Sequence, residues 1–289
     1  MASNNSTKKQ LRELKIAYDA ERLGKESLLV IIDEAEIAEA VYNSNAIENS
    51  TLTLKETEKI LLDMMVSRDL SVREVFEAKN LARVVNYIRG KAAGEALDQA
   101  MIILLHQMLI GGIDDKISGR FRVAGEYVRV GTHIAPAPEQ VEQMIAQVLL
   151  DYTGDLDAYF LDKIAKFHLE FEKIHPFNDG NGRIGRVIIN YQLQRLGFPN
   201  IIIREKDKRN YYQAFDHSRT MEKILALGLM ESLHKRLAYL ESKKIIRLSD
   251  YVKQHGLSAP ALYNVARRQK IPAFREKGVW KIVADFRKQ

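Results

Sequence analysis

His175-Pro176-Phe177-Asn178-Asp179-Gly180-Asn181-Gly182-Arg183-Ile184-Gly185-Arg186 separates two segments whose apolar residues recur every three or four positions. Before it, Leu156, Phe160, Ile164, Phe167, Phe171 and Ile174 make one stripe, the spacing of a helix with a buried face. That helix is expected to end at His175-Pro176, because a residue before proline avoids the α region. After it, a second helix from about Gly182 turns Ile184, Val187, Ile188 and Tyr191 inward and stops at Gly197 and Pro199. The stretch is a loop between two packed helices. The same period runs through nearly every other segment, so the expected fold class is all-α.

Within the loop, glycines on both sides of Asn181 let backbone N–H groups converge on one point, and such a nest at a helix N-terminus attracts phosphate oxygens. Arg183 and Arg186 follow on the first turn, Asp179 offers a hard oxygen suited to magnesium, and His175 exchanges a proton near neutral pH. Taken singly, each residue fits a capped helix with a surface arginine pair. Taken together, an anion cradle, two cations, a metal ligand and a base fall within one short loop.

The string resembles the Fic motif, His-x-Phe-x-Asp/Glu-Gly-Asn-Gly-Arg-x-x-Arg, at every defined position. The resemblance implies a protein adenylyltransferase, which moves AMP from ATP to a Ser, Thr or Tyr hydroxyl of a target protein. His175 would be the general base, and Asp179 would hold the Mg2+ that neutralises the leaving diphosphate. Asn181 with the Gly180 and Gly182 backbone would orient the α-phosphate. Arg183 and Arg186 would hold the β- and γ-phosphates, with Ile184 and Gly185 completing the nucleotide-binding turn. Phe177 would bury its ring to anchor the loop. Tyr211 and Tyr212 stand where the family's adenine and ribose contacts lie, while Arg219 replaces an asparagine that relatives often carry there. His168, on the same helix as His175, is expected to be structural.

Upstream, Ser44-Asn45-Ala46-Ile47-Glu48-Asn49 resembles the family's inhibitory pattern Ser/Thr-x-x-x-Glu-Gly/Asn, its plain alternative being a helix end capped by Asn49. The resemblance implies that Glu48 pairs bidentately with Arg186 and denies it to the γ-phosphate. The same carboxylate could align a water that removes AMP, and the direction stays open. Between the two, Arg120 to Ile134 reads as a hairpin in which Phe121-Arg122-Val123 pairs with Tyr127-Val128-Arg129-Val130 around Ala124-Gly125-Glu126. It corresponds to the family's flap, where a target segment would add as a strand along Tyr127, Val128, Arg129, Val130 and Gly131.

Elsewhere, Thr53 with Glu56 and Ser71 with Glu74 are spaced as capping boxes. Val72, Val75, Phe76, Leu81, Val84, Val85 and Ile88 form a helical face that Gly90 is expected to end. Met1 to Gln10 reads as a polar, low-complexity tail without the apolar region of a leader, no stretch approaches membrane-spanning length, and the chain has no cysteine. A cytoplasmic location is the expectation. The net charge of +6 is uneven: residues 241–289 hold 12 Lys and Arg against 4 Asp and Glu, so the rest of the chain sums to −2. This asymmetry suggests a C-terminal module. Two short helices around His255-Gly256-Leu257-Ser258, with Ser258 as N-cap, and a hairpin from Ile271 to Ile282 resemble a winged helix-turn-helix. There Tyr263, Asn264, Arg267 and Arg268 would face DNA.

The expected organisation is a helical region at 1–96 with the inhibitory helix, a Fic core at 97–232 and a winged helix-turn-helix at 245–289. ATP and a target protein are the implied partners. Self-modification, a homodimer and DNA stand as further ones. The alternatives are a DNA-binding regulator whose core senses nucleotide, and an enzyme moving another phosphate-containing group.

Overall fold

A computed structural model describes residues 2–66 and 69–287. In chain order the elements are α1 (Ala2–Glu21), α2 (Glu26–Ile47), α3 (Leu54–Glu58) running into a π turn at Lys59–Asp63, α4 (Val72–Lys91), α5 (Gln99–Ile110), β1 (Arg129–Val130), β2 (His133–Ile134), α6 (Pro138–Gly154), α7 (Phe160–Ile174), α8 (Asn181–Arg195), α9 (Lys208–Gln213), α10 (Ser218–Leu240), β3 (Ile245–Arg247), α11 (Leu248–Gln254), α12 (Ala259–Arg267), β4 (Ala273–Glu276) and β5 (Val279–Val283). The architecture is mostly helical, as the periodicity implies. No helix among the described residues is long and apolar enough to cross a membrane.

The chain divides into two compact units that cut across the expected boundaries. One holds residues 37–197 and 202–222. Its core gathers Leu81, Val84 and Ile88 of α4, Ile102, Leu105 and Leu109 of α5, Phe171 and Ile174 of α7, and Ile184, Ile188 and Tyr191 of α8, all at most 1% exposed. Helix α5 is apolar on nearly every face, which suits an element surrounded by others. Asp98 starts it by accepting the Met101 N–H at 2.7 Å. Each such buried Leu, Ile or Phe contributes roughly 1.5–3 kcal/mol, so this core is what holds α7 and α8 on either side of the loop.

Local expectations fare unevenly here. The Thr53 box is complete, with Thr53 and Glu56 bonding each other's backbone. Ser71 caps α4 through the Glu74 N–H, but the Glu74 carboxylate turns to the Thr51 N–H at 2.6 Å and the Ser50 hydroxyl at 3.1 Å, tying down the segment after α2. Gly90 does not end α4: the helix continues to Lys91 because Ala92 beyond it is fully buried and its N–H still reaches the Ile88 carbonyl. Val72 and Phe76 lie outside the buried face. Leu156 is 87% exposed and precedes α7. Helix α6 runs on to Gly154, so the chain must turn before α7 begins, and Asp155 braces that turn by accepting the Ala158 N–H.

The hairpin is also shorter and differently paired than expected. Arg129 pairs with Ile134 and Val130 with His133, and Phe121-Arg122-Val123 joins no ladder. The Arg122 N–H goes instead to the Pro176 carbonyl at 2.9 Å, which commits this segment to the loop rather than to a strand.

The other unit holds residues 1–36, 198–201 and 223–289. The segment read as a polar tail is helical from Ala2, with Leu11 and Tyr18 buried. Met1 lies outside the described residues. Helices α11 and α12 pack Leu248, Tyr251, Leu262 and Ala266 against Ala273 and Ile282 of a three-stranded sheet ordered β3-β5-β4. Lys277 and Gly278 turn β4 into β5 with positive φ at both positions, the geometry of a two-residue hairpin. Strand β3 was not anticipated. Ser258 occupies the N-cap position of α12 but its side chain makes no capping bond, Pro260 entering the first turn in its place. The basic segment is joined to α10 by Arg275 on Glu231 and by Lys235 on Glu276.

Candidate active site

Helix α7 ends with His175 in the left-handed region, φ 49° and ψ 62°, its N–H on the Phe171 carbonyl at 3.0 Å. A residue with a side chain held there costs about 1–3 kcal/mol, so the surroundings must impose the conformation. The loop then folds over Phe177, which is fully buried and stacks on His106 with ring centres 3.7 Å apart. The Asn181 side chain closes the loop, accepting the Phe177 N–H at 2.9 Å and donating to the Phe177 carbonyl at 2.8 Å. Its amide is thereby spent on the loop. His106 Nδ1 accepts the Gly119 N–H, so Nε2 carries the proton and donates to the Asp179 carbonyl at 3.1 Å. Burial lowers the His106 pKa to about 4, which keeps that tautomer neutral.

Charged groups surround the start of α8. Asp179 accepts Arg183 Nη2 at 3.0 Å and pairs with Arg73 of α4. Glu77 accepts from Arg73 at 3.1 Å and from Arg183 at 3.1 Å. Two carboxylates and two guanidiniums thus alternate in a ring. On the other side Arg186, 6% exposed, donates through Nε to the Ser44 hydroxyl at 2.9 Å and through Nη2 to the Ser44 carbonyl and Glu48 Oε1, both at 2.8 Å. The contact with Glu48 is therefore single rather than bidentate, because the end of α2 presents a free carbonyl that takes the second bond. The end of α2 is capped at Asn49, as the plain alternative for 44–49 expects. Asn49 sits at φ 69°, and the bonds Ser50 N–H to Asn45 and Asn49 N–H to Ala46 form a Schellman cap that sets Glu48 against the guanidinium. Gly182 permits this approach, since a Cβ there would lie 2.3 Å from Glu48 Oε1.

The His175 pKa is lowered to about 4, chiefly by burial, so the imidazole is neutral and able to accept a proton at pH 7. Its Nδ1 and the Arg186 Nη1 are buried with no hydrogen-bond partner among the described residues. Beneath them lies Glu172, whose Oε1 is buried and unpartnered and would meet a Cβ on Gly185 at 2.5 Å. Burial raises its pKa to about 8. Neither Glu172 nor Arg122, described below, carries a sequence signal of its own. Ile184 is buried and Gly185 packs against α7.

Tyr211 is buried, its hydroxyl 2.7 Å from Nε2 of His168. Tyr212 is 39% exposed and donates to the Ile47 carbonyl at 3.2 Å, at the end of α2. Along the flap, Tyr127, Arg129, Val130 and Gly131 are exposed and Val128 half-buried, and His133 is anchored 2.8 Å from the Lys173 carbonyl. On α12, Asn264, Arg267 and Arg268 are exposed, whereas Tyr263 packs against the small core. Among the described residues no three His, Asp or Glu side chains gather to hold a metal by themselves. One partly exposed carboxylate at Asp179, already drawing a guanidinium, suits Mg2+, a cation that takes its other oxygens from phosphates and water.

Residues 96–193 match the Fic/DOC family. A protein adenylyltransferase Fic of Nematostella vectensis is 34% identical over 178 residues, which is 60% of this chain and 41% of that protein, so the chain spans about two fifths of the relative's length. Among solved structures, a Fic-domain signalling protein of Bacteroides thetaiotaomicron has a TM-score of 0.75 at 23% identity, covering 81% of this chain and 98% of that one. Fic-1 of Caenorhabditis elegans has 0.71 at 24%, covering 82% and 73%. On motif and matched segment together, residues 96–193 of this chain form a Fic/DOC domain.

Proposed function

We propose that the chain is a protein adenylyltransferase that transfers AMP from ATP to a Ser, Thr or Tyr hydroxyl and is held in check by Glu48. The observation that carries this reading is the convergence on the start of α8 of a neutral, half-buried imidazole, two guanidiniums and a glycine-flanked backbone, with a carboxylate from just beyond α2 occupying one guanidinium. Relatives named protein adenylyltransferase support it.

His175 accepts the proton of the target hydroxyl, through Nε2 because Nδ1 is buried. The hydroxyl oxygen bonds to the α-phosphorus, the bond to the β-phosphate oxygen breaks, and diphosphate departs. Arg183 and Arg186 hold the departing phosphates, and the backbone at Gly180 to Gly182 orients the α-phosphate. Mg2+ held by Asp179 would neutralise charge on the leaving group. The exposed edge of β1 aligns the target by main-chain pairing. The partial exposure of Tyr212 beside the end of α2 supports a role for it in meeting the nucleoside. Incubation with ATP labelled on the α-phosphate tests the reading. Glu48→Gly should label protein, and His175→Ala in that background should abolish the label. Labelling that survives the loss of His175 contradicts the assignment.

The exposed Asn264, Arg267 and Arg268 on α12 favour a second role in DNA binding. Affinity for an oligonucleotide should fall steeply with added salt. No binding at about 50 mM salt leaves protein interaction as the module's role.

A further inference from the structure

Arg122 is 3% exposed, and among the described residues no carboxylate pairs with its guanidinium. All of its bonds go to main-chain carbonyls. Nε donates to His175 at 2.8 Å, Nη1 to Glu126 at 2.9 Å, and Nη2 to Pro136 at 3.0 Å and Ile174 at 3.2 Å. Its own N–H reaches the Pro176 carbonyl at 2.9 Å. Two of these carbonyls, Ile174 and His175, belong to the end of α7, where unpaired C=O groups and the helix dipole favour a cation. The other two bracket the flap, one before β1 and one after β2. A rigid planar fork thus grips the catalytic loop with some donors and both stems of the flap with the others.

On the adenylyltransferase reading, the structure assigns Arg122 the role of a positioning residue that fixes the His175 backbone in its left-handed conformation and sets the flap at a constant distance from the base. Arg122 touches neither the phosphate cluster nor Glu48. Its effect should therefore fall on the base and on target alignment, and not on nucleotide binding. Its charge also opposes protonation of the imidazole. The other groups facing that imidazole are Glu172 on its own helix, Glu48 at the end of α2 and His133 on β2.

The test uses the full chain carrying Glu48→Gly, with Arg122→Lys and Arg122→Gln added separately. Transfer kinetics, calorimetry with a non-hydrolysable ATP analogue, and an NMR pH titration of the His175 imidazole are measured on each. Displacement of a base by about 1 Å costs on the order of a hundredfold. Both variants are thus expected to lose at least about tenfold in kcat while the analogue binds within about twofold of the parent. Arg122→Gln should also raise the pH at which the imidazole titrates, and Arg122→Lys, which keeps the charge, should not. Unchanged kcat in Arg122→Lys overturns the proposal. So does an equal loss of analogue binding and kcat, which marks general collapse of the pocket. If Arg122→Gln does not fold, the lysine variant alone decides. Absence of transfer by the Glu48→Gly parent refutes the adenylyltransferase reading instead, and the imidazole titration still reports on Arg122.

Discussion

Arg186 and Glu48, 138 positions apart, meet at 2.8 Å, and the guanidinium end of that contact is almost wholly buried. The nearly buried cation thus already holds a ligand of opposite charge. On the proposed reading it is the charge that would receive the γ-phosphate.

Removing the carboxylate should therefore tighten nucleotide binding. Glu48→Gly is expected to lower the Kd for ATP by about tenfold, equivalent to about 1.4 kcal/mol. Ser44→Ala, which removes one neutral acceptor, should change it by less than half as many kcal/mol. Calorimetry on the three proteins checks this, and a Glu48→Gly protein that binds no better than the parent contradicts it.

Asp179 is engaged by Arg73, whose side chain is 54% exposed. A divalent cation must displace that guanidinium from the carboxylate. Arg73→Ala should lower the Mn2+ concentration that half-saturates the nucleotide-bound protein by about fivefold, the worth of one partly exposed ion pair. Electron paramagnetic resonance of Mn2+ reads it directly, and a higher requirement in the variant means that Arg73 assists the cation.

Stability should depend on pH in a manner set by buried groups. Burial lowers His106 and His175 to about 4 and His168 to about 3, so the unfolded chain binds protons below about 6.5 that the folded chain refuses, and stability falls as pH drops through that window. Glu172 acts in the opposite sense. Raised from 4.5 to about 8, it keeps its proton in the folded chain while the unfolded one releases it, so its contribution is lost as pH rises towards 8. Thermal unfolding of the parent should be highest near pH 6.5. Glu172→Gln, which cannot ionise, should hold that stability to pH 8, gaining on the order of a few kcal/mol over the parent there. Parallel pH curves for the two proteins would show that Glu172 is already ionised in the folded state.

What the amino-acid order discloses and what it hides divide along sequence distance. The loop from His175 to Arg186 is legible because its chemistry is local: a proline ends one helix, glycines open the next, and the charged residues lie within single turns. The helix end at Asn49 is legible for the same reason, whereas the pairing of Glu48 with Arg186, 138 positions on, came only from the resemblance. Arg122, by contrast, gives no local signal, since its carbonyl partners lie up to 53 residues away and carbonyls belong to every residue. It even misleads, because Phe121-Arg122-Val123 has the alternation of a strand while tertiary bonds draw it to the loop. Arg73, 106 residues from Asp179, is hidden in the same way. Leu156 continues the apolar stripe of α7 in period but falls where the backbone turns, and period alone carries no information about where a helix begins.

On the proposed reading, His175 serves AMP transfer once Glu48 is removed. Intact-mass spectrometry of the Glu48→Gly protein after incubation with ATP, magnesium and an accepting target measures it most directly. The expected result is a mass gain of one AMP on the target or on the chain itself, absent when His175→Ala is added. No gain under conditions where calorimetry shows ATP bound, or a gain that persists without His175, would contradict it.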